Sequence, residues 1–457
     1  MRGINSTLAE LNQRAGDSYF EIAKVKAHDC EENLRRAIAA YRKSLDFFTF
    51  DSQRLRHAQI QNNLGNAYCG LAEVRDKEAN LKLAIAAFQE ALRVRTLDLF
   101  PQDHATTQNN LGNAYTGLAE VRDKEANVNL AIAAYQEALR VYTFDAFPQD
   151  YATTQNNLGA AFCGLAEVRD KEANLKLAIA AFQQPLRVYT FGAFPQDYAM
   201  TQNNLGNAYR NLAGVRDKEA NLELAIAAYQ DALRVYTFGL FPQDYAMTQN
   251  NLGNAYRNLA GVRHKEANLE LAIAAYQEAL RVSTFDLFPQ DYAGTQNNLG
   301  NAYGDLAGVR DNEANLKLAI AAYQEALRVR TFEAFPQDYA ATHDNLGTTY
   351  GDLAEVRDKE ANLNRAIACF RQALRVHTYG ALPEDYARTQ NCLGRTCFEL
   401  AMVRLESEAK EEGKDLLRTA RQSISEALRV YTKESHPEQH KTYVEFLAHL
   451  DDMLSKS

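Results

Sequence analysis

The chain has 457 residues and a net charge of −9, with 50 Lys and Arg interleaved among 59 Asp and Glu; no basic stripe is left for a phosphate backbone, so nucleic acid is an unfavourable partner. Six cysteines fall without CxxC or zinc-ligand spacing, so free thiols in a reducing compartment are expected and a structural metal is not. The opening stretch MRGINSTLAELNQRAG has no apolar leader core, and no stretch approaches 18 uninterrupted apolar residues, so a cytoplasmic protein without a membrane span is expected.

Residues 1–50 form a divergent first unit, in which Gly16 and Tyr19 loosely hold the place of a later motif while Asn33, Ala37, Tyr41 and Leu45 fall into its register. Residues 51–384 then comprise seven regular units of 47 residues. The beat is IQNNLGNAY at 60, TQNNLGNAY at 107, 201, 248 and 295, TQNNLGAAF at 154 and THDNLGTTY at 342, followed in a ninth unit by TQNCLGRTC at 389. A period of this size marks a solenoid or array rather than a single-core domain.

Within the type unit, Pro101, Gln102 and Asp103 read as a helix start with Asp103 as N-cap. Ala105, Leu111, Ala114, Tyr115, Leu118 and Val121 then fit one helical stripe, defining helix A. The charged turn RDKEAN, expected to be a solvated face, leads into helix B, capped by Asn127 or Asp123. Its spacing is carried by Val128, Leu130, Ala131, Ala134, Tyr135, Ala138, Leu139 and Val141. FDAFPQD closes the unit, its proline stopping the helix, and Phe144, Phe147 and Tyr151 are expected in an inter-repeat core. Pro185 stands in helix B of the fourth unit, where the other units have alanine or, in the first, Ser44; a distortion around Ala181 to Pro185 is predicted. The ninth unit, 385–433, has seven extra residues between Cys397 and Ala420, expected to lengthen its A-to-B turn. Residues 434–457 read as a capping helix, giving nine hairpins plus one helix.

Leu111, Gly112 and Tyr115 on helix A, with Ala131, Tyr135 and Ala138 on helix B, match L-G-x2-Y and A-x3-F, and the unit resembles a tetratricopeptide repeat of about 34 residues. The excess is seven residues between A and B and six between units. Seven residues make about two helical turns, so they lengthen helices without rotating their faces. The junction FPQDYATTQNNLG is similar to that of kinesin light chain repeats, and the whole unit to arrays common in cyanobacterial tetratricopeptide proteins. The resemblance implies an all-α, right-handed superhelical solenoid with the A helices on its concave wall.

It also implies that the positions flanking the Leu-Gly pair face the groove, and there asparagine recurs. The residue before the leucine, Asn63, Asn110, Asn157, Asn204, Asn251, Asn298 and Asn345, matches the asparagine ladder that grips a threaded peptide in O-linked N-acetylglucosamine transferase and kinesin light chain arrays; Cys392 interrupts it. Asn66, Asn113, Asn207, Asn254 and Asn301 follow the glycine. A carboxamide donates and accepts at once, as an extended backbone requires; alternatively these side chains bridge neighbouring A helices or keep the groove wet. Seven rungs at about 0.5–1.5 kcal/mol each do not clearly exceed an association cost of roughly 4–15 kcal/mol. Selectivity therefore falls to variable inward positions. Arg210 and Arg257 suit a ligand carboxylate or phosphate, and Asp305 and Asp352 a basic group, unless these charges are merely solvated.

No Gly-rich phosphate loop, HExxH, GxSxG or paired Cys and His occurs, and His436 and His440, four apart beside Pro437, make a poor metal pair. The expectation is a non-catalytic scaffold without cofactor or metal, binding a protein or peptide in its groove, with homo-oligomerisation possible. The alternatives are a self-assembling structural solenoid and a sensor or regulatory subunit of a larger complex.

Overall fold

The computed structural model describes residues 2–25, 29–406 and 409–456, with side chains from residue 5 onward. The chain packs as two units, Met1–Val235 and Tyr236–Ser457. The first holds α1 (Arg2–Val25), α2 (Cys30–Leu45), α3 (Arg54–Val74), α4 (Lys77–Leu92), α5 (Pro101–Ala119), α6 (Lys124–Ala138), α7 (Pro148–Ala166), α8 (Lys171–Gln183), α9 (Pro195–Ala213) and α10 (Lys218–Leu233). The second holds α11 (Pro242–Ala260), α12 (Lys265–Leu280), α13 (Pro289–Ala307), α14 (Asn312–Leu327), α15 (Pro336–Val356), α16 (Lys359–Ala373), α17 (Pro383–Leu405), α18 (Lys410–Leu428) and α19 (Pro437–Lys456). Odd numbers through α17 are A helices, even numbers B helices, and α19 packs on α18. Among the described residues, no helix is long and apolar enough to cross a membrane.

Each pair closes on one contact. A Cβ built on Gly112 would lie 2.5 Å from the Tyr135 ring, and the same holds at 2.6 Å for Gly206 under Tyr229 and Gly253 under Tyr276. Only hydrogen fits, so the helix axes approach over the aromatic ring. Around this contact Ala119, Val128, Ala131, Ile132, Leu158 and Leu165 bury a continuous core reaching into the next pair, at about 1.5–3 kcal/mol for each large aliphatic side chain. Leu130 and Val121 do not join it: both are 46% exposed. The buried face of α6 runs through Val128, Ala131, Ile132 and Tyr135, and Leu130 sits one step, roughly 100°, outside it.

The helix ends differ from the sequence reading. α5 begins at Pro101 with Phe100 at the N-cap, because a first-turn position wastes no N–H on proline. Asp103 lies inside that first turn, where its charge suits the helix N-terminus. At the start of α6, Asp123 holds the N-cap position in a left-handed conformation, φ 42°, with no side-chain cap bond. Asn127 is buried and donates Nδ2–H to the Arg122 carbonyl at 2.8 Å, tying the turn from inside. Asn80, Asn174, Asn221, Asn268, Asn315 and Asn362 do the same in their turns.

Pro185 produces the expected break. α8 stops at Gln183 and a 3-10 turn, Pro185–Arg187, follows, whereas α10 runs through the equivalent Ala232 to Leu233. The Ala181 carbonyl, which an N–H at position 185 would have reached, accepts from Gln184 instead. In the ninth pair the seven extra residues sit in the helices: α17 has 23 residues against 19 in α5, and α18 has 19 against 16 in α10. The stretch between α17 and α18, 406–409, has as many residues as 120–123; positions 407 and 408 lie outside the described ones.

Candidate functional site

Within each unit the A helices of neighbouring pairs touch: α3 with α5, α5 with α7 and α7 with α9, then α11 with α13, α13 with α15 and α15 with α17. Among the described residues no B helices of neighbouring pairs do. The A helices thus form the closer-packed wall, and three rows of polar side chains run along it.

The first row is structural, its threonines buried and its asparagines buried or half-buried. Thr107 Oγ1 donates to Asn62 Oδ1 at 3.2 Å, Thr154 to Asn109 at 3.2 Å and Thr342 to Asn297 at 3.3 Å, each bond linking one A helix to the next. The row after the glycine is also committed: the hydroxyls of Tyr135, Tyr229, Tyr276 and Tyr323 donate at 2.8 Å to Oδ1 of Asn113, Asn207, Asn254 and Asn301. Asn66 faces a pair whose B-helix aromatic is Phe88, which has no hydroxyl to offer.

The proposed ladder lies between these rows and is half-buried throughout, at Asn63, Asn110, Asn157, Asn204, Asn251, Asn298 and Asn345. Its donors partly serve the wall. Asn110 Nδ2 donates to Asn62 Oδ1 at 3.4 Å, Asn157 to Asn109 at 3.3 Å and Asn113 at 3.2 Å, Asn298 to Asn250 at 3.1 Å, and Asn63 to Asp17 at 3.1 Å. The Oδ1 atoms of Asn110, Asn157 and Asn298 accept no hydrogen bond from the described residues. The wall therefore presents a row of carbonyl acceptors, with fewer free donors than a bare carboxamide offers.

The charged row meets itself. Arg257 Nε donates to Asp305 Oδ2 at 2.6 Å, so the cation and anion expected to take opposite ligand charges neutralise each other, both partly exposed. Arg210 is half-buried beside the Tyr229 hydroxyl, which burial pushes up to about 12 and the guanidinium pulls back. Asp352 on α15 keeps an exposed surface, and partial desolvation, with the Glu355 charge, raises its carboxyl. Burial pushes the Cys69 and Cys163 thiols up to about 12, so neither supplies a thiolate near neutrality. Among the described residues no group of three or more His, Cys, Asp or Glu is arranged to hold a metal ion. His436 and His440 instead point Nδ1 at Ser435 Oγ and the Tyr431 carbonyl.

Sequence reasoning missed three devices. The RDKEAN turns are not merely solvated: Arg122 reaches Glu78 at 2.8 Å, Arg169 reaches Glu125 at 2.9 Å and Arg357 reaches Glu313 at 2.8 Å, one repeat back each time. At the opposite ends of the helices Phe144 is not core. It is half-buried with Arg187 of the next pair stacked 4.0 Å over its ring and Tyr151 edge-on at 6.3 Å, while Phe147 packs on the buried cluster of Ala105, Ala138 and Tyr142. The third is a cavity of about 310 Å³ on the wall of the first unit, where α5, α7 and α9 meet. Its signal was readable, because Ala160 and Phe182 depart from the repeat together.

No protein-family model and no curated protein matches the chain. Solved structures with similar architecture include the C-terminal part of a TPR repeat-containing protein from Cytophaga hutchinsonii, with TM-score 0.42 and 15% identity over 69% of this chain and 94% of that one. A Rap protein complexed with Competence and Sporulation Factor gives 0.43 and 14% over 88% and 99%. A signal transduction ATPase with a tetratricopeptide repeat sensor from Pyrococcus horikoshii gives 0.48 and 12% over 89% and 55%. The 47-residue beat and a glycine seated under an aromatic ring in pair after pair make the chain an array of repeated helix pairs, similar in architecture to tetratricopeptide repeat proteins.

Proposed function

We propose that the protein is a non-catalytic scaffold that holds an extended peptide or partner segment along its A-helix wall. The observation that carries this reading is, in each unit, the row of half-buried asparagines at a 47-residue step; the Oδ1 atoms of Asn110 and Asn157 in the first unit and of Asn298 in the second accept nothing from the described residues. Such a row matches the N–H groups of an extended backbone and is indifferent to sequence. The Arg257 and Asp305 pair opens only for a ligand that offers both an anion and a cation, so it favours a zwitterionic or mixed-charge segment over a simple acid.

The test is capture of display-selected peptides by the triple variant Asn110→Ala, Asn157→Ala, Asn298→Ala. Each lost bond is worth about 0.5–1.5 kcal/mol, so affinity falls by roughly ten- to a thousandfold while the helical circular dichroism persists. Unchanged capture by a folded variant contradicts the reading.

A further inference from the structure

In four pairs the tyrosine hydroxyl and the asparagine after the glycine fill the space between helix B and the wall with one hydrogen bond of 2.8 Å. In the fourth pair, α7 with α8, both members are missing. Ala160 replaces the asparagine and Phe182 the tyrosine, and on the next turn Cys163 and Gly164 stand where α9 carries Arg210 and Asn211. The Phe88 pair, by contrast, keeps its Asn66. The two departures Ala160 and Phe182, beside small residues at Cys163 and Gly164 that recur as Cys69 and Gly70 in α3, leave the cavity of about 310 Å³, lined by Val128, Ala160, Ala161 and Phe182.

The charges at its rim are already spent: Lys124 pairs with Glu167, and Lys77 with Glu120 at 2.5 Å. The edge nearest α9 carries Asn204 and Asn211, neither of which makes a side-chain hydrogen bond to a described residue. An apolar floor asks for an apolar group, and unengaged carboxamides beside it ask for the amide groups that flank a side chain in a peptide.

We propose that this cavity receives one large apolar side chain, phenylalanine or leucine in size, from the bound peptide, with Asn204 and Asn211 taking the neighbouring backbone amides. This rests on reading the A wall as peptide-binding, and it adds what the ladder lacks, a point at which sequence is selected and register is fixed.

The full chain, labelled with 13C in alanine methyl groups, is titrated at millimolar concentration with N-acetyl-phenylalanine methylamide, N-acetyl-leucine methylamide and N-acetyl-alanine methylamide. The Ala160 and Ala161 methyl signals are expected to shift and saturate with the first two probes and to respond about tenfold more weakly to the third. The double variant Ala160→Asn, Phe182→Tyr rebuilds the pair found in four neighbours, so it folds, fills the cavity and abolishes the Ala161 response. No response in the natural chain, or an equal response in the double variant, overturns the proposal. These single-residue probes do not span the ladder. Their failure leaves the peptide reading standing, and failure of the ladder variants leaves the cavity response in place.

Discussion

The asparagine after the glycine answers the residue across from it on helix B: Asn113 faces Tyr135, whereas Ala160 faces Phe182. Nothing in helix propensity asks for asparagine there; in four pairs a tyrosine hydroxyl uses it, while Asn66 stands opposite Phe88 without one. A double-mutant cycle on Tyr135→Phe and Asn113→Ala should give a coupling of about 0.5–1.5 kcal/mol in urea unfolding, and additive losses would show that the bond contributes nothing. His343 stands where other units have glutamine. Its ring packs 4.3 Å from Tyr339, its Nδ1 is buried without a partner, and burial lowers it to about 4, with Asp344 opposing and Arg375 adding. The unfolded imidazole takes its proton near pH 6.5 and the folded one only near 4, so stability is flat above 6.5 and falls from there toward 4. Because His343 is only partly buried, solvent screening limits the stability lost across that range to about 1–2 kcal/mol. His343→Gln should remove that share of the acid sensitivity, and identical urea midpoints against pH for both proteins would contradict it. Both the hydroxyl pairing and the odd histidine were visible as covariation among repeats; the hydrogen bonds that explain them were not.

Element by element, periodicity located every helix but misjudged what each end needs. Phe100 before a first-turn proline replaces the expected Asp103 cap, while Asp123 holds the N-cap position as one of the two expected residues but in a left-handed conformation without a side-chain bond, the turn being tied by Asn127. Leu130 passed a spacing test and still faces outward, since an apolar residue at the edge of a stripe satisfies the period without reaching the core. The surplus of the ninth pair went into helix because lengthening α17 and α18 keeps their contact continuous. Pro185 was legible because proline has no N–H in any context. Pro185→Ala should extend α8 to the length of α10 and stabilise the first unit by about 1–3 kcal/mol. Hydrogen exchange at residues 184–189 reads this directly, slowing in the variant; unchanged protection would mean that the turn costs nothing.

At the scale of each unit, among the described residues each pair contacts only its neighbours, so stability is a sum of local terms repeated along the unit. Thr107 to Asn62, Tyr135 to Asn113 and Arg122 to Glu78 recur because the repeat recurs. Composition and beat specified the array, but they could not say that the wall consumes part of its own donors. That property depends on the distance between adjacent A helices, which no single repeat encodes. It also sharpens the central claim, since a wall offering acceptors must be met by peptide N–H groups. The most direct test keeps the protein untouched: a peptide selected by display on the natural chain is N-methylated at one position after another, and each affinity is measured by calorimetry. A loss of roughly two- to tenfold is expected at each N–H that meets the ladder, recurring along the peptide. A peptide whose affinity is indifferent to every methylation would contradict it.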